Sequence, residues 1–296
     1  MLRQQVAFGV QMAPAFLRRW SEEARRPIAP APRRPTPAEW PDHGVHAAWL
    51  GHSTVLLKVD GTVILTDPVF GSRVGLSMGP VTLGVKRLVR PALRIREIPR
   101  PDLILLSHAH MDHFDLASLR GLRDPRTSVL TAAKTSDLLA PDRYRQVREM
   151  SWGETVQVGP LAIRAFEVNH WGARMRTDTY RGYNGYLIET GRRRILFAGD
   201  TAITDAFRAL RSSRPVDLAI MPIGAYDPWI RFHCTPEQAW QMVNDAGAEV
   251  VLPVHHQTFE LSREPFREPI ERLHRAAGRG TDRIAWSEIG EEFHAN

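Results

Sequence analysis

Three imidazoles and a carboxylate stand within six consecutive residues, in His108-Ala109-His110-Met111-Asp112-His113. Neutral imidazole and carboxylate are ordinary ligands for a borderline divalent metal. Burying so many unpaired polar groups merely to pack a core would be costly. The donors of this run cannot all reach one ion comfortably. The turn can instead split, with His108 and His110 on one ion and Asp112 and His113 on its neighbour. Completing both sites needs distant donors, and His170, Asp200 and His255 supply them. A carboxylate such as Asp200 can bridge two cations. Two ions a few ångströms apart hold a hydroxide and clamp an in-line displacement. Such a ligand set suits two zinc ions, with iron or manganese as alternatives.

These residues need elements that carry them to one place. A compact apolar strand, 102–107, runs straight into the histidine cluster. His170 follows a strand ending near Val168, Asp200 follows one ending at Phe197, and His255 follows the strand 250–254. Strands of α/β sheets present functional groups at their carboxyl ends, and each candidate stands there. Upstream, 47–50, 54–59 and 62–66 read as short strands, with Asp60-Gly61 as a hairpin turn. Residues 71–90 lack clear periodicity and read as a long surface loop. Helices are expected over 114–120, 205–211, 236–246 and 265–277, the third opened by Thr235 as cap and Pro236. Hairpins first, then strands alternating with helices, predict a layered α/β architecture with mixed sheets.

The motifs also resemble a known family. Ser107-His108-Ala109-His110-Met111-Asp112-His113 looks like the signature of the metallo-β-lactamase-fold hydrolases. Leu65-Thr66-Asp67-Pro68 and Phe197-Ala198-Gly199-Asp200-Thr201 resemble two further motifs of that fold. A narrower similarity is to the N-acyl-phosphatidylethanolamine-hydrolysing phospholipase D branch. It is carried by Trp49-Leu50-Gly51-His52-Ser53-Thr54, Pro222-Ile223-Gly224-Ala225-Tyr226, His233-Cys234-Thr235-Pro236-Glu237-Gln238-Ala239 and His255-His256-Gln257-Thr258-Phe259.

The resemblance implies a four-layer αββα sandwich with two mixed sheets, two zinc ions, and phosphodiester hydrolysis releasing phosphatidic acid from a lipid. By motif position the last metal ligand is His255, and His256 is its neighbour. Asp67 is expected to orient a metal-bound histidine, as carboxylates behind metal ligands do. His233 faces the substrate in that branch, so a phosphate-binding or proton-transfer role falls to it. The expected catalytic group is Asp112, Asp200 and His233. Tyr226 and Trp229 join His233 as expected substrate contacts, within an apolar mouth that includes Trp171, Met175, Tyr180, Ile230 and Phe232. Arg174, Arg176 and Arg181 are candidates to meet an anionic head group. His52, after Gly51 between two strands, reads as a turn histidine.

The chain has 296 residues, 43% hydrophobic and 24% charged, which is ordinary globular composition. The single cysteine, Cys234, excludes an internal disulfide. The net charge of +6 fits an anionic partner, yet the basic residues are dispersed and make a poor phosphate-tracking groove. A nucleic-acid partner is therefore not expected; a phospholipid or other small anionic substrate is. Residues 26–41 carry six prolines and read as an extended linker. This divides the chain into an N-terminal arm and linker, 1–45, and a hydrolase domain, 46–296. The apolar stretch 6–17 reads as a peripheral helix packed on the protein, a disordered arm, or a surface-seeking segment at a membrane interface. The expected location is the cytoplasm, with peripheral attachment at the inner membrane face under the last of these readings. A lactonase or sugar-phosphate lactonase of the same fold is the alternative hydrolase, using the same hydroxide on a carbonyl.

Overall fold

The computed structural model describes residue 23 and residues 25–78 and 81–295. The stretch 6–17 lies outside the described residues. Two mixed sheets stack face to face. The first has seven strands in the order β15-β1-β2-β3-β6-β7-β8. These are β1 (Val45–Gly51), β2 (Thr54–Val59), β3 (Thr62–Thr66), β6 (Leu103–Leu106), β7 (Ser128–Ala132), β8 (Gln146–Met150) and β15 (Glu292–Ala295). The second has six in the order β14-β13-β12-β11-β10-β9. Its members are β9 (Thr155–Val158), β10 (Leu161–Phe166), β11 (Gly185–Glu189), β12 (Arg194–Phe197), β13 (Val216–Pro222) and β14 (Ala248–Val254).

Each sheet is antiparallel on one side and parallel on the other. The β1–β2–β3 hairpins give way to parallel β3, β6 and β7, and β10–β11–β12 give way to parallel β12, β13 and β14. The turn joining β2 to β3 has positive φ at both Asp60 (45°) and Gly61 (84°), as a tight hairpin turn requires. Residues from both sheets, among them Trp49, Leu56, Ile104, Ile163, Phe197 and Ile220, merge into one buried cluster between the layers.

Helices form the outer layers. Leu119 of α1 (Leu116–Gly121) joins the core of the first sheet, and the helix is capped by Asp115, which accepts from the amides of Ala117 and Ser118. Against the second sheet pack α2 (Ala206–Ala209), α3 (Pro236–Ala246) and α4 (Glu268–Ala277), through Phe207, Met242, Val243 and Leu273. The start of α3 is fixed by a reciprocal box: Thr235 accepts from the Gln238 amide while the Gln238 side chain accepts from that of Thr235. Gly247 ends it at φ 69°. The whole is the four-layer αββα sandwich.

Two differences from the sequence reading stand out. Residues 71–90 are not a structureless loop: β4 (Arg73–Met78) and β5 (Val81–Lys86) pair as an antiparallel ribbon. β8 and its pairing with β7 also went unforeseen. The proline-rich stretch lies along the body. Ala29 bridges Val89, the Arg33 amide donates to Ile289 O, and buried Trp40 donates to Glu292. Among the described residues, no helix is long and apolar enough to cross a membrane.

Candidate metal centre

The sheets are arranged so that the carboxyl ends of β1, β3 and β6 meet those of β10, β12 and β14. Past those ends lie His52, Asp67, His108, His170, Asp200 and His255 respectively. Two contacts bind the sheets together there: Tyr186 Oη donates to Leu106 O, and the Asn184 amide donates to Ser107 O. Gly199 permits the approach. It sits at φ 61°, and a side chain on it would meet Ser107 Cβ at 2.7 Å, so only glycine lets Asp200 come this close to the histidine run.

Asp200 Oδ2 is the hub. It lies 3.0 Å from His113 Nε2, 3.1 Å from His255 Nε2, and 3.9 Å from His108 Nε2, His170 Nε2 and His233 Nδ1. On one side of it His110 Nδ1 lies 2.8 Å from His108 Nε2 and 3.3 Å from His170 Nε2. On the other, Asp112 Oδ2 lies 3.7 Å from His113 Nε2 and 3.6 Å from His255 Nε2. The structure thus brings together all seven expected ligands, split as the spacing of the run suggested.

Groups behind the cluster fix ring orientation. Asp67 Oδ2 accepts from His113 Nδ1 at 2.6 Å, turning Nε2 towards Asp200. Asp67 also accepts from the Ser107 amide and hydroxyl, and Ser107 Oγ in turn accepts from His108 Nδ1. His170 Nδ1 donates to Phe232 O at 2.8 Å. In each case the far nitrogen is committed and the near one is left facing the centre.

Charge follows this geometry. Burial alone would raise the Asp200 carboxyl, but His113 and His255 hold it well below the usual carboxylate range. Burial opposes charge on His255 as well, yet Asp200 and Asp112 lift it to about 9. His108 and His170 are pushed well below the ordinary imidazole value, and His110 to about 4, chiefly by burial. Neutral rings of this kind offer the lone pair that a metal requires.

Do these residues fit a cation? Both Asp200 oxygens, His113 Nε2 and His255 Nε2 are buried without a hydrogen bond of acceptable geometry, although they stand close to one another. Orphaned buried carboxylate oxygens are costly, and a cation among them would satisfy all of these atoms at once. His/Asp groups able to hold a metal are formed by His108, His110 and His170, and by Asp112, His113 and His255 together with His52.

Over the cluster opens a cleft of about 220 Å³, lined by His110, Asp112, Asp200, His233 and His255 below and by Trp171, Trp229 and Phe232 above. His233 reaches it with Nδ1 unpartnered. Trp229 stands at the mouth, half exposed. Tyr226 does not line the cleft. It is buried, its hydroxyl donates to Glu268, and Arg272 lies over its ring. Two of the arginines expected to meet a head group are otherwise engaged. Arg174 donates to Ala109 O and Phe114 O, clamping both ends of the histidine run, and Arg181 is paired with Asp137 and Asp178. Arg176 is exposed.

One residue was misread. His52 is no mere turn histidine: its Nε2 lies 3.0 Å from Asp112 Oδ2, and its ring centroid 4.1 Å from that of His255. Its place in the Trp49-Leu50-Gly51-His52-Ser53-Thr54 motif, at the end of a buried strand like every other donor, was the available signal. His256 is buried beside the centre, its ring 4.5 Å from that of Trp49.

Residues 62–256 match the beta-lactamase superfamily domain. An uncharacterised protein of Mycobacterium tuberculosis is 32% identical over 86% of this chain and 70% of its own. A mitochondrial N-acyl-phosphatidylethanolamine-hydrolyzing phospholipase D of Saccharomyces cerevisiae is 36% identical over 83% of this chain, which spans 55% of that protein. In fold, the chain is similar to a metallo hydrolase from Ignicoccus hospitalis, with a TM-score of 0.63 at 21% identity over 85% of this chain and 98% of that one. Domain match, fold and a cluster of histidines and aspartates able to hold a metal agree, and the chain belongs to the beta-lactamase superfamily as one of its metal-dependent hydrolases.

Proposed function

We propose that this hydrolase is a dinuclear phosphodiesterase of phospholipase D type, acting on N-acyl phosphatidylethanolamine or a similar phospholipid. The observation that carries the reading is the cleft itself: a floor of histidine and carboxylate donors around Asp200, under walls of Trp171, Trp229 and Phe232. A charged reacting group fits the floor and an apolar chain fits the walls. The similarity to the yeast phospholipase D supports the same substrate class.

His108, His110 and His170 would hold one cation, Asp112, His113 and His255 the other, with Asp200 between them; zinc suits these donors, and iron or manganese would also be accepted. Bound there, two divalent cations supply Lewis acidity and lower the pKa of water. The chain does the rest. Asp67, Ser107 and Phe232 O hold the rings of His113, His108 and His170 in place. His233 Nδ1, unpartnered and facing the cleft, can bind a phosphate oxygen or pass a proton to the departing oxygen. Trp171, Trp229 and Phe232 exclude water from the floor. Exposed Met175, Trp229 and Ile230, with Arg176 and Arg231 nearby, form a rim suited to peripheral contact with a lipid surface.

The test compares turnover of bis(p-nitrophenyl) phosphate, an N-acyl phosphatidylethanolamine and a simple lactone by one metal-reconstituted sample. The proposal expects both phosphodiesters to be cleaved, the lipid preferred, and cleavage lost in His108→Ala. Turnover of the lactone alone would replace this reading with a lactonase.

A further inference from the structure

His52 stands on the Asp112–His113–His255 side of the centre, close enough to be grouped with those residues around one cation. On the first sheet it follows β1, in a turn where its own φ is 53°, a conformation few side chains adopt without cause. Its backbone is bound to the loop that follows β14. The His52 amide donates to Thr258 Oγ1 at 2.6 Å, and the His255 amide donates to His52 O at 3.1 Å. Trp49 Nε1 donates to the same carbonyl at 2.8 Å. The ring is buried. It lies over His255, meets Phe259 edge-on, and places Nε2 3.0 Å from Asp112 Oδ2. One residue therefore grips the His255 loop with its backbone and the Asp112 carboxylate with its side chain.

We propose that His52 is a positioning residue for the Asp112–His255 half of the centre: by donating Nε2–H to Asp112 Oδ2 while its backbone holds the His255 loop, it sets the spacing and the carboxylate orientation that this half offers a cation. The proposal rests on the two-cation reading. Among the described residues the other imidazoles near Asp112 Oδ2 stand farther off, His255 Nε2 at 3.6 Å and His113 Nε2 at 3.7 Å, so the His52 bond is the closest side-chain restraint on this carboxylate. The half formed by His108, His110 and His170 is held together by its own contacts, while the His52 ring meets Asp112, His113, His255 and Phe259, so that half serves as an internal control.

The experiment is a cobalt(II) titration of metal-stripped protein, followed by visible absorption and by elemental analysis, on the full chain and on His52→Phe, His52→Gln and Thr258→Val. Groups behind metal ligands typically contribute roughly 10–100-fold to affinity. His52→Phe is expected to keep the first cobalt at full affinity and to bind the second about 10–100-fold more weakly. His52→Gln, whose amide retains a donor, should restore most of the second affinity. Thr258→Val leaves the ring intact and is expected to weaken the second cobalt by a smaller factor; it stands in if His52→Phe does not fold. Second-site affinity unchanged in His52→Phe, or in Thr258→Val in its place, would overturn the proposal. So would His52→Gln binding as poorly as His52→Phe, because that is the behaviour of a direct ligand. A wild-type chain that takes up only one cobalt would instead strike at the two-cation reading beneath it.

Discussion

On the floor of the cleft, His108, His113 and His170 are each held from behind by Ser107, Asp67 or a main-chain carbonyl, and all are buried. On the rim, Trp171, Trp229 and Phe232 are between 37% and 50% exposed, and Trp229 is tied by Nε1 donating to Leu261 O at 3.2 Å. These three rings have one orientation each, because the nitrogen that faces away from the centre is already committed. The rim can repack around different apolar groups at small cost. On the proposed function, the floor carries the chemistry and the rim the choice of substrate.

Changes to the floor should have the largest effects. Asp200→Ala removes the oxygen shared by five imidazoles, and turnover of every substrate should be abolished while the fold persists by circular dichroism. Asp67→Asn leaves the ligands present but frees the His113 ring. Metal affinity or activity is expected to fall roughly 10–100-fold, read by chelator competition. A variant that binds metal as tightly as wild type would show that the hydrogen bonds behind the floor are idle.

The rim should respond selectively. Aromatic contacts of this kind contribute about 0.5–1.5 kcal/mol each. Trp229→Ala with Phe232→Ala is expected to raise KM for a long-chain lipid roughly tenfold, with little change for bis(p-nitrophenyl) phosphate. Equal losses on both substrates would erase the distinction between floor and rim.

The smallest effect concerns the loop that follows β7. Glu149 accepts from the amides of Lys134, Thr135 and Ser136 and from the Ser136 hydroxyl, and this loop receives Arg181 through Lys134 O. Burial works against its charge, but these donors hold its carboxyl below the usual value. The stabilisation is therefore present above the unfolded carboxylate value and is lost as pH falls through the lower folded one. Glu149→Gln should destabilise by about 1 kcal/mol at neutral pH, with melting curves of variant and wild type converging in acid. A gap that widens in acid would reverse this assignment.

The same contrast explains what could be read from the sequence. The histidine run was legible because its donors are contiguous, and Asp200 and His255 because each ends a recognisable apolar strand. His52 was obscured because one histidine after Gly51 looks like any turn residue; its meaning comes from Asp112, sixty positions away. The β4–β5 ribbon was hidden although Val74, Leu76, Leu83 and Val85 alternate, because glycine, serine and threonine rather than charged residues separate them. Tyr226 looked like a substrate contact from its neighbours in sequence, but a hydrogen bond to Glu268 on α4 turns it away. Arg174 likewise looked free, and only the fold shows it holding the ends of the histidine run. Local chemistry was readable, and commitments to distant partners were not.

The central claim is that Asp200 lies between two cation seats. Elemental analysis of metal-reconstituted wild type and Asp200→Ala tests it most directly. Two cations per chain in the wild type, and loss of that double occupancy in the variant, is the expected result. A full complement in Asp200→Ala, or no bound metal in the reconstituted wild type, would contradict it.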